Sequence, residues 1–321
     1  MLMHINKVIG RSWGVAAKIS FADSKNMMTP LALSLFFFFG IASGAVPFNY
    51  TNQIAWNSLF GSFCSGGRQS PIDIITRNVQ GGNSTLTPLR MTNWDTSVNG
   101  YVLNNGHTLK FSPSSASSEA RVQTFISTYK LLQFHFHWGP NNMVGSENKV
   151  NNTFFSGELH FVNQNVSAVN SVGSQFTVVA VFLTADSSVQ YSGSVWEKLT
   201  ESIPAFNATR SIQSITYESM LPSNLSYYYF PGSLTTPLCN EIVEWFVLQN
   251  PVSVPMEFFN KLRTLNDTNG DPLTLNYRDV QPLNGRTVSG YTVESVSGSI
   301  GLMSTTTALL AFLLIAVLAN Y

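Results

Sequence analysis

The stretch Gln133–Gly139 constrains the fold more than any other, because aromatic residues and histidines alternate along it. In a β-strand successive side chains point to opposite faces, so the aromatic residues would share one face and His135 and His137 the other. An aromatic face is what a sheet needs for its core. Imidazoles two residues apart on one strand have Cβ atoms about 7 Å apart, and they can tilt together to share a metal ion. The motif alone is equally compatible with two histidines that face solvent.

The rest of the chain consists mostly of short strand-like segments separated by glycine, proline, asparagine and serine. Two of these segments are continuous apolar runs, typical of strands buried on both faces. The pattern predicts a mainly β (α+β) fold, with a single domain at residues 46–297 around a large, mostly antiparallel, twisted central sheet with short peripheral helices. The expected strands are Val98–Leu103, Thr108–Phe111, Tyr129–Trp138, Ser156–Val162, Gln175–Leu183 and Glu241–Leu248, and the expected helices are Val195–Ile203 and Pro255–Leu265.

Residues 1–45 have the composition of a secretory signal region. Lys18 and Lys25 precede the apolar run Leu31–Ile41, and small residues follow it. This is the order of a signal peptide, and the apolar run is too short to span a bilayer. A start at the Met27-Met28 pair would give a signal of ordinary length. We therefore expect the chain to enter the secretory pathway.

Residues 298–321 resemble the signal for a glycosylphosphatidylinositol (GPI) anchor. Small residues at 297–299 and a polar spacer at 304–307 precede an apolar tail that no basic residue follows. A GPI signal has this order, with Ser297 as the expected attachment residue. A transmembrane helix is the alternative for the same segment. We expect a lipid anchor that holds the protein on the extracellular face of the plasma membrane.

Charge and cysteine usage agree with an extracellular protein. Residues 46–321 keep 13 of the 17 basic and 16 of the 17 acidic side chains, a net charge of −3 that does not favour nucleic acid. Cys64 and Cys239 are the two cysteines. In a secreted chain such a pair predicts a disulfide, with two buried free thiols as the alternative. Seven Asn-X-Ser/Thr sequons are glycosylation candidates: Asn49, Asn83, Asn151, Asn165, Asn207, Asn224 and Asn266.

A third histidine follows on the next expected strand, at His160. A polar turn at residues 145–152 would let the two strands pair antiparallel, which brings His160 beside His135 and His137. These three are most of the five histidines in the chain. Three imidazoles and an open fourth position describe a catalytic zinc site, whereas a structural site is closed by four protein ligands.

Two polar residues support this interpretation of the histidines. Gln133 and Glu158 each lie two residues before one of them, on the same strand face. A ligating imidazole usually donates its second ring N–H to such a group, which fixes its orientation. Each residue alone would be an ordinary polar position in a strand.

With further motifs along the chain, these features resemble the α-class carbonic anhydrases. The matching segments occur in the family's order and span almost all of residues 46–297, and secreted members share the cysteine pair. The segments are Gln69–Ile74, Asn104–His107, Gln133–Gly139, Gly145–Glu147, Glu158–His160, Gly232–Pro237, Asn276–Arg278 and Gln281–Leu283. The resemblance implies a Zn²⁺ enzyme that converts CO2 to bicarbonate and a proton.

The resemblance also implies roles for individual residues. Bound zinc would ionise a water molecule near neutral pH, as is established for this family, and the hydroxide would attack CO2. Thr235 would accept a hydrogen bond from that hydroxide and donate one to Glu147, while His107 would carry the proton to buffer. The zinc ligands would be His135, His137 and His160, oriented by Gln133, Glu158 and Asn276. The substrate pocket would be formed by Val162, Val178, Leu234, Thr236, Val243 and Trp245.

Two positions depart from the family pattern. Asn148 stands where many members have histidine, which predicts a lost contact and a looser network near Glu147. Lys110 stands where a neutral polar residue is common, and its charge is expected to lower the pKa of His107.

The sequence therefore predicts an extracellular zinc carbonic anhydrase that acts on CO2 and bicarbonate and serves pH regulation. Association with a bicarbonate transporter is a further expectation. The alternative is a catalytically weak or silent carbonic-anhydrase-like module used for surface binding or adhesion. Such members typically lack one or more zinc histidines, and this chain retains all three.

Overall fold

Strands dominate the architecture. The computed structural model describes residues 48–60, 62–81, 84–114, 119–167 and 175–293. The strands are β1 Asp73–Ile74, β2 Arg90–Thr92, β3 Val98–Asn104, β4 Leu109–Pro113, β5 Arg121–Gln123, β6 Thr128–Trp138, β7 Lys149–Val150, β8 Gly157–Asn165, β9 Phe176–Asp186, β10 Thr209–Ile215, β11 Tyr227–Gly232, β12 Val243–Pro255 and β13 Ser289–Tyr291. The α-helices are α1 Ala55–Leu59, α2 Val195–Glu201 and α3 Met256–Leu262, and 3₁₀ turns lie at Ser62–Ser65, Thr76–Asn78 and Glu218–Met220.

Eleven of these strands form one mixed sheet in the order β10-β3-β4-β6-β8-β9-β12-β11-β13, with β5 pairing with both β2 and β6. Its strand pairs are antiparallel, apart from the parallel pair of β9 and β12. The strands β1 and β7 form a separate parallel pair. The predicted fold, one large, mostly antiparallel sheet with short helices, is confirmed.

The two faces of the sheet carry separate apolar clusters. Phe134, Phe136 and Trp138 are at most 1% exposed and lie in the larger cluster, as the alternation in β6 predicts. Full burial of each such side chain contributes about 1.5–3 kcal/mol to folding. The smaller cluster lies on the opposite face and includes Val178 and Trp245. The first eight residues of β9 are buried because they contribute to both clusters.

Both predicted helices form, and one begins after a capping serine and the other directly after a proline. The side chain of Ser194 accepts a hydrogen bond from the backbone N–H of Glu197, which satisfies a free donor at the start of α2. The carboxylate of Glu197 accepts the N–H of Gly193 in return. Pro255 directly precedes α3. Both helices bury aromatic residues against the larger cluster, so they are peripheral supports of the sheet.

A disulfide joins Cys64 and Cys239, whose Cα atoms are 4.9 Å apart, and this prediction is confirmed. The bridge closes a loop between cysteines separated by 175 residues, for which chain entropy predicts about 5 kcal/mol of stabilisation, with measured gains often smaller. Both cysteines pack with Tyr50 and Trp56 in a third, smaller apolar cluster. The disulfide therefore ties the N-terminal segment to the loop after β11.

Several sequence predictions fall on the surface or outside the described residues. The sequons Asn49, Asn151, Asn207 and Asn266 are exposed, whereas Asn165 and Asn224 are half-buried. The expected signal region 1–45, Asn83, Ser297 and the expected anchor signal 298–321 lie outside the described residues. In the ranges that the structure does describe, no helix has the length and apolarity to cross a membrane.

Candidate metal centre

The pairing of β6 and β8 brings three histidines together. His135 lies directly opposite His160, and His137 lies opposite Glu158, in the antiparallel register expected from the sequence. One potential ligand atom from each histidine lies within 4.8 Å of the others. The ring centroids are 5.0 Å apart for His135 and His137, 5.2 Å for His135 and His160, and 4.4 Å for His137 and His160.

The second nitrogen of each ring is held by a hydrogen-bond acceptor. The Nδ1 of His135 lies 2.9 Å from Oε1 of Gln133. The Nε2 of His160 lies 2.9 Å from Oε1 of Glu158. These contacts fix the rings so that Nε2 of His135 and Nδ1 of His160 are left for a metal.

The third ring is oriented by Asn276, through its backbone. The Nδ1 of His137 lies 2.8 Å from the carbonyl oxygen of Asn276. The Asn276 side chain instead secures β6, because its Oδ1 accepts the N–H of Trp138 at 2.7 Å and its Nδ2 donates to the carbonyl of Phe136 at 2.9 Å. Asn276 thus fixes both the orientation of the His137 ring and the position of the strand that carries it.

The free nitrogens have the chemistry that a zinc ion requires. The Nε2 of His137 is buried and has no hydrogen-bond partner, which is costly unless a ligand satisfies it. Burial lowers the pKa of His135 and of His137 well below the ordinary value, so both rings are neutral and offer a lone pair. Three imidazoles, each with its outer nitrogen held by a hydrogen-bond acceptor, form a donor set that fits Zn²⁺.

Asn148 makes hydrogen bonds within the network that it was expected to loosen. It is fully buried, and its backbone N–H donates to Oε2 of Glu158 at 2.8 Å while its Nδ2 donates to Oε1 at 2.7 Å. Its Oδ1 accepts the backbone N–H of Ile72 at 3.1 Å. The expected loss of a contact is wrong, because the short amide reaches the carboxylate that orients His160.

Lys110 acts on a different histidine from the one expected. It lies directly opposite His135 in the pairing of β4 with β6. Its positive charge contributes to the lowered pKa of His135, after burial and the charge of His160. The lowered pKa of His107 arises instead from burial, and the charge of Asp267 opposes it. The prediction that Lys110 lowers the pKa of His107 is therefore wrong. The pairing of β4 with β6 places the charge of Lys110 beside His135 of the metal centre instead.

A buried carboxylate lies beside the histidines. Glu147 is 0% exposed, and its oxygens lie 3.5 Å from Nδ1 of His137 and 3.9 Å from Nδ1 of His160. Burial raises the pKa of Glu147 well above its ordinary value, while the hydroxyl of Thr235 and the backbone N–H of Arg278 act in the opposite direction. The contact with Thr235 joins the two residues that the family resemblance implied as partners. A cation held by the histidines would further favour the ionised carboxylate.

Arg278 is a supporting residue for which no role was predicted from the sequence. Its backbone N–H donates to Oε1 of Glu147 at 2.9 Å, and its buried guanidinium donates to Oε1 of Gln69 and to the carbonyls of Ser70 and Cys64. It thus connects the buried carboxylate to the disulfide segment. The available signal was its position in the Asn276–Arg278 motif.

Residues that were expected to form the substrate pocket lie on the same sheet face as the histidines. Val162, Val178 and Trp245 lie in one row across β8, β9 and β12, and the Trp245 ring is 4.9 Å from that of His160. Val243 belongs to the same apolar cluster, and Leu234 packs against it. Thr236 is half-buried, and its carbonyl accepts the N–H of Cys239 at 2.8 Å.

His107 lies outside the cluster of three histidines. Its backbone N–H donates to Oδ1 of Asn105 at 3.0 Å, and its ring stacks on Phe48 with centroids 4.0 Å apart and planes 9° from parallel. Burial lowers its pKa from 6.5 to about 4, despite the opposing charge of Asp267. The sequence offered no signal for the contact with Phe48, because the two residues are distant in the chain and meet only in the fold.

Comparison with known proteins agrees with this geometry. A family model described as eukaryotic-type carbonic anhydrase matches residues 51–292. The chain is 34% identical over 245 residues to carbonic anhydrase 1 of Mus musculus, covering 73% of this chain and 92% of the mouse protein. It is 32% identical over 249 residues to carbonic anhydrase 7 of Homo sapiens, covering 73% of this chain and 91% of the human protein. The chain belongs to the eukaryotic-type, or α-class, carbonic anhydrase family.

Proposed function

We propose that this protein is a zinc-dependent carbonic anhydrase that hydrates CO2 reversibly to bicarbonate and a proton at the outer cell surface. The proposal rests on three histidine nitrogens that lie close together, while the other nitrogen of each ring is held by a hydrogen-bond acceptor. His135, His137 and His160 would hold the ion. When bound, zinc supplies a Lewis acid that makes a water molecule acidic enough to serve as the nucleophile near neutral pH.

The surrounding residues would orient the reactants. Glu147 accepts a hydrogen bond from the Thr235 hydroxyl. The Thr235 oxygen can therefore accept a hydrogen bond from the nucleophile at the metal centre, which would fix the direction in which the nucleophile's own proton points. The row of Val162, Val178 and Trp245 offers an apolar surface for CO2, which has no charge to satisfy. His107 is the candidate acceptor, through a ring nitrogen, for the proton that hydration releases.

The test is stopped-flow CO2 hydration by purified full-length protein, with and without a primary sulfonamide. We expect catalysed hydration that the sulfonamide, an anionic ligand for zinc, blocks. Zinc-loaded protein that fails to hydrate CO2 would instead favour the weak or silent surface-binding module.

The cell-surface location is a proposal from the sequence, supported by the disulfide and by four exposed sequons. A phosphatidylinositol-specific phospholipase applied to intact cells should release the protein into the medium if residues 298–321 direct a GPI anchor. Retention after this treatment would contradict the lipid anchor and favour the transmembrane alternative. If a bicarbonate transporter associates with the protein, it should co-purify from the same membranes.

A further inference from the structure

Lys110 places a positive charge beside the metal centre. It lies directly opposite His135 in the pairing of β4 with β6, and His135 lies directly opposite His160 in the pairing of β6 with β8. The three residues therefore form one row across the sheet, and residues that lie directly opposite each other in a sheet point to the same face. The Lys110 side chain thus lies on the face that carries the metal-binding histidines.

The ammonium of Lys110 has no protein group that balances its charge. Lys110 is half-buried, and in the part of the chain that the structure describes its side chain forms no ion pair or hydrogen bond. Burial lowers its pKa from the ordinary value, and no carboxylate of the described residues opposes this effect. Lys130, on the neighbouring strand, instead pairs with Glu119 at 2.9 Å. A partly buried charge without a partner is costly, so the position of Lys110 favours an anion.

The charge of Lys110 acts on the histidine cluster. It contributes to the lowered pKa of His135, after burial and the charge of His160. The buried carboxylate of the centre, Glu147, contacts the other two rings, with oxygens 3.5 Å from Nδ1 of His137 and 3.9 Å from Nδ1 of His160. The centre therefore has a carboxylate against His137 and His160 and an ammonium beside His135.

The two sides of the metal centre differ in polarity. On β8, β9 and β12, Val162, Val178 and Trp245 form an apolar row, whereas β4 presents the ammonium of Lys110. An uncharged molecule such as CO2 has no charge to be desolvated and can lie against the apolar row. Bicarbonate is an anion, and a cation close to its binding position attracts it. The two molecules that the reaction interconverts therefore have different partners at this centre.

We propose that Lys110 is an anion-recognition residue of the metal centre, which strengthens the binding of bicarbonate and of other small monovalent anions there. The proposal rests on the proposed function, because bicarbonate is the product of CO2 hydration. The charge of Lys110 holds bicarbonate more tightly than a neutral side chain would. Hydration by this protein is therefore more sensitive to bicarbonate and to inert anions than hydration by a variant without the charge.

The test measures the affinity of thiocyanate, an inert monovalent anion, for the zinc-loaded full-length protein by isothermal titration calorimetry. Lys110→Met removes the charge and keeps an unbranched side chain of similar length. Coulomb's law for partly solvated charges several ångströms apart predicts that this change raises the Kd of thiocyanate roughly 3- to 30-fold. In CO2 hydration assays, the inhibition constant of bicarbonate should rise in the same variant.

Three further variants separate the charge from other effects. Lys110→Arg keeps a positive charge and should bind thiocyanate within about two-fold of the native affinity. Lys110→Gln is a second neutral variant and should match Lys110→Met. Lys261→Gln removes a charge from the exposed surface of α3 and should leave the Kd of thiocyanate unchanged. Zinc content by mass spectrometry should be one ion per chain in every variant, so that the Kd values report anion binding alone.

The outcomes are distinct for the two proposals. An unchanged Kd in the neutral variants, an equal loss of affinity in Lys110→Arg, or an equal loss in Lys261→Gln would each overturn the role of Lys110. Loss of zinc from both neutral variants would also overturn it, in favour of a structural role. A native protein that holds zinc and fails to hydrate CO2 would overturn the proposed function, while the thiocyanate affinities would still decide whether Lys110 recognises anions.

Discussion

Replacing His137 by alanine is expected to abolish zinc retention and CO2 hydration together. The change removes a buried nitrogen that has no protein partner, and it leaves only two of the three imidazoles for the ion. Two imidazoles do not make a stable zinc site, so hydration should fall to the uncatalysed rate. The measurements are zinc content by mass spectrometry after dialysis against a chelator, and stopped-flow hydration on the same sample.

The control for this change is His107→Ala, which also removes one histidine but lies outside the cluster of three. It should retain one zinc ion per chain, because no nitrogen of the metal centre is lost. Stoichiometric zinc in His137→Ala would show that the ligand set is wrong. Circular dichroism of both variants should match the native protein, which excludes general unfolding as the cause.

Replacing Thr235 by valine is expected to lower kcat/KM for CO2 hydration about 100-fold without loss of zinc. Valine has nearly the same shape as threonine but has no hydroxyl to donate to Glu147 or to accept from the nucleophile. A positioned hydrogen-bonding group at the reacting centre contributes about 10²–10³-fold to a rate. Steady-state hydration at saturating buffer measures the effect separately from proton transfer through His107.

Thr235→Ser provides the matched variant, since it keeps the hydroxyl and removes only a methyl group. It should retain activity within a few-fold of the native protein. Equal rates for the valine and serine variants would contradict the role given to the hydroxyl. A loss of zinc in Thr235→Val would point to a structural effect on the loop after β11.

The fold was largely predictable because local patterns and tertiary structure agree in the central strands. The alternation at Gln133–Gly139 determines which side chains of β6 enter the core, and the core excludes the opposite orientation. The apolar run of β9 is buried on both faces, as its composition predicts. The turn between β6 and β8 then sets the register that places His160 opposite His135.

The misassigned details depend on contacts that no local pattern contains. The effect of Lys110 depends on cross-strand register, which directs its charge at His135. The effect of Asn148 depends on the reach of its amide to Glu158 across a folded turn. The environment of His107 depends on Phe48, which packs against it from the N-terminal segment. In each case the residue type was informative, but its partner was decided by the tertiary structure.

The most direct test of the central claim is the CO2 hydration rate of one preparation of full-length protein before metal removal, after it, and after zinc is added back. The account predicts one zinc ion per chain, hydration well above the uncatalysed rate, loss of that rate with the metal, and recovery with zinc. Stoichiometric zinc at the three histidines with hydration no faster than the uncatalysed reaction would contradict it.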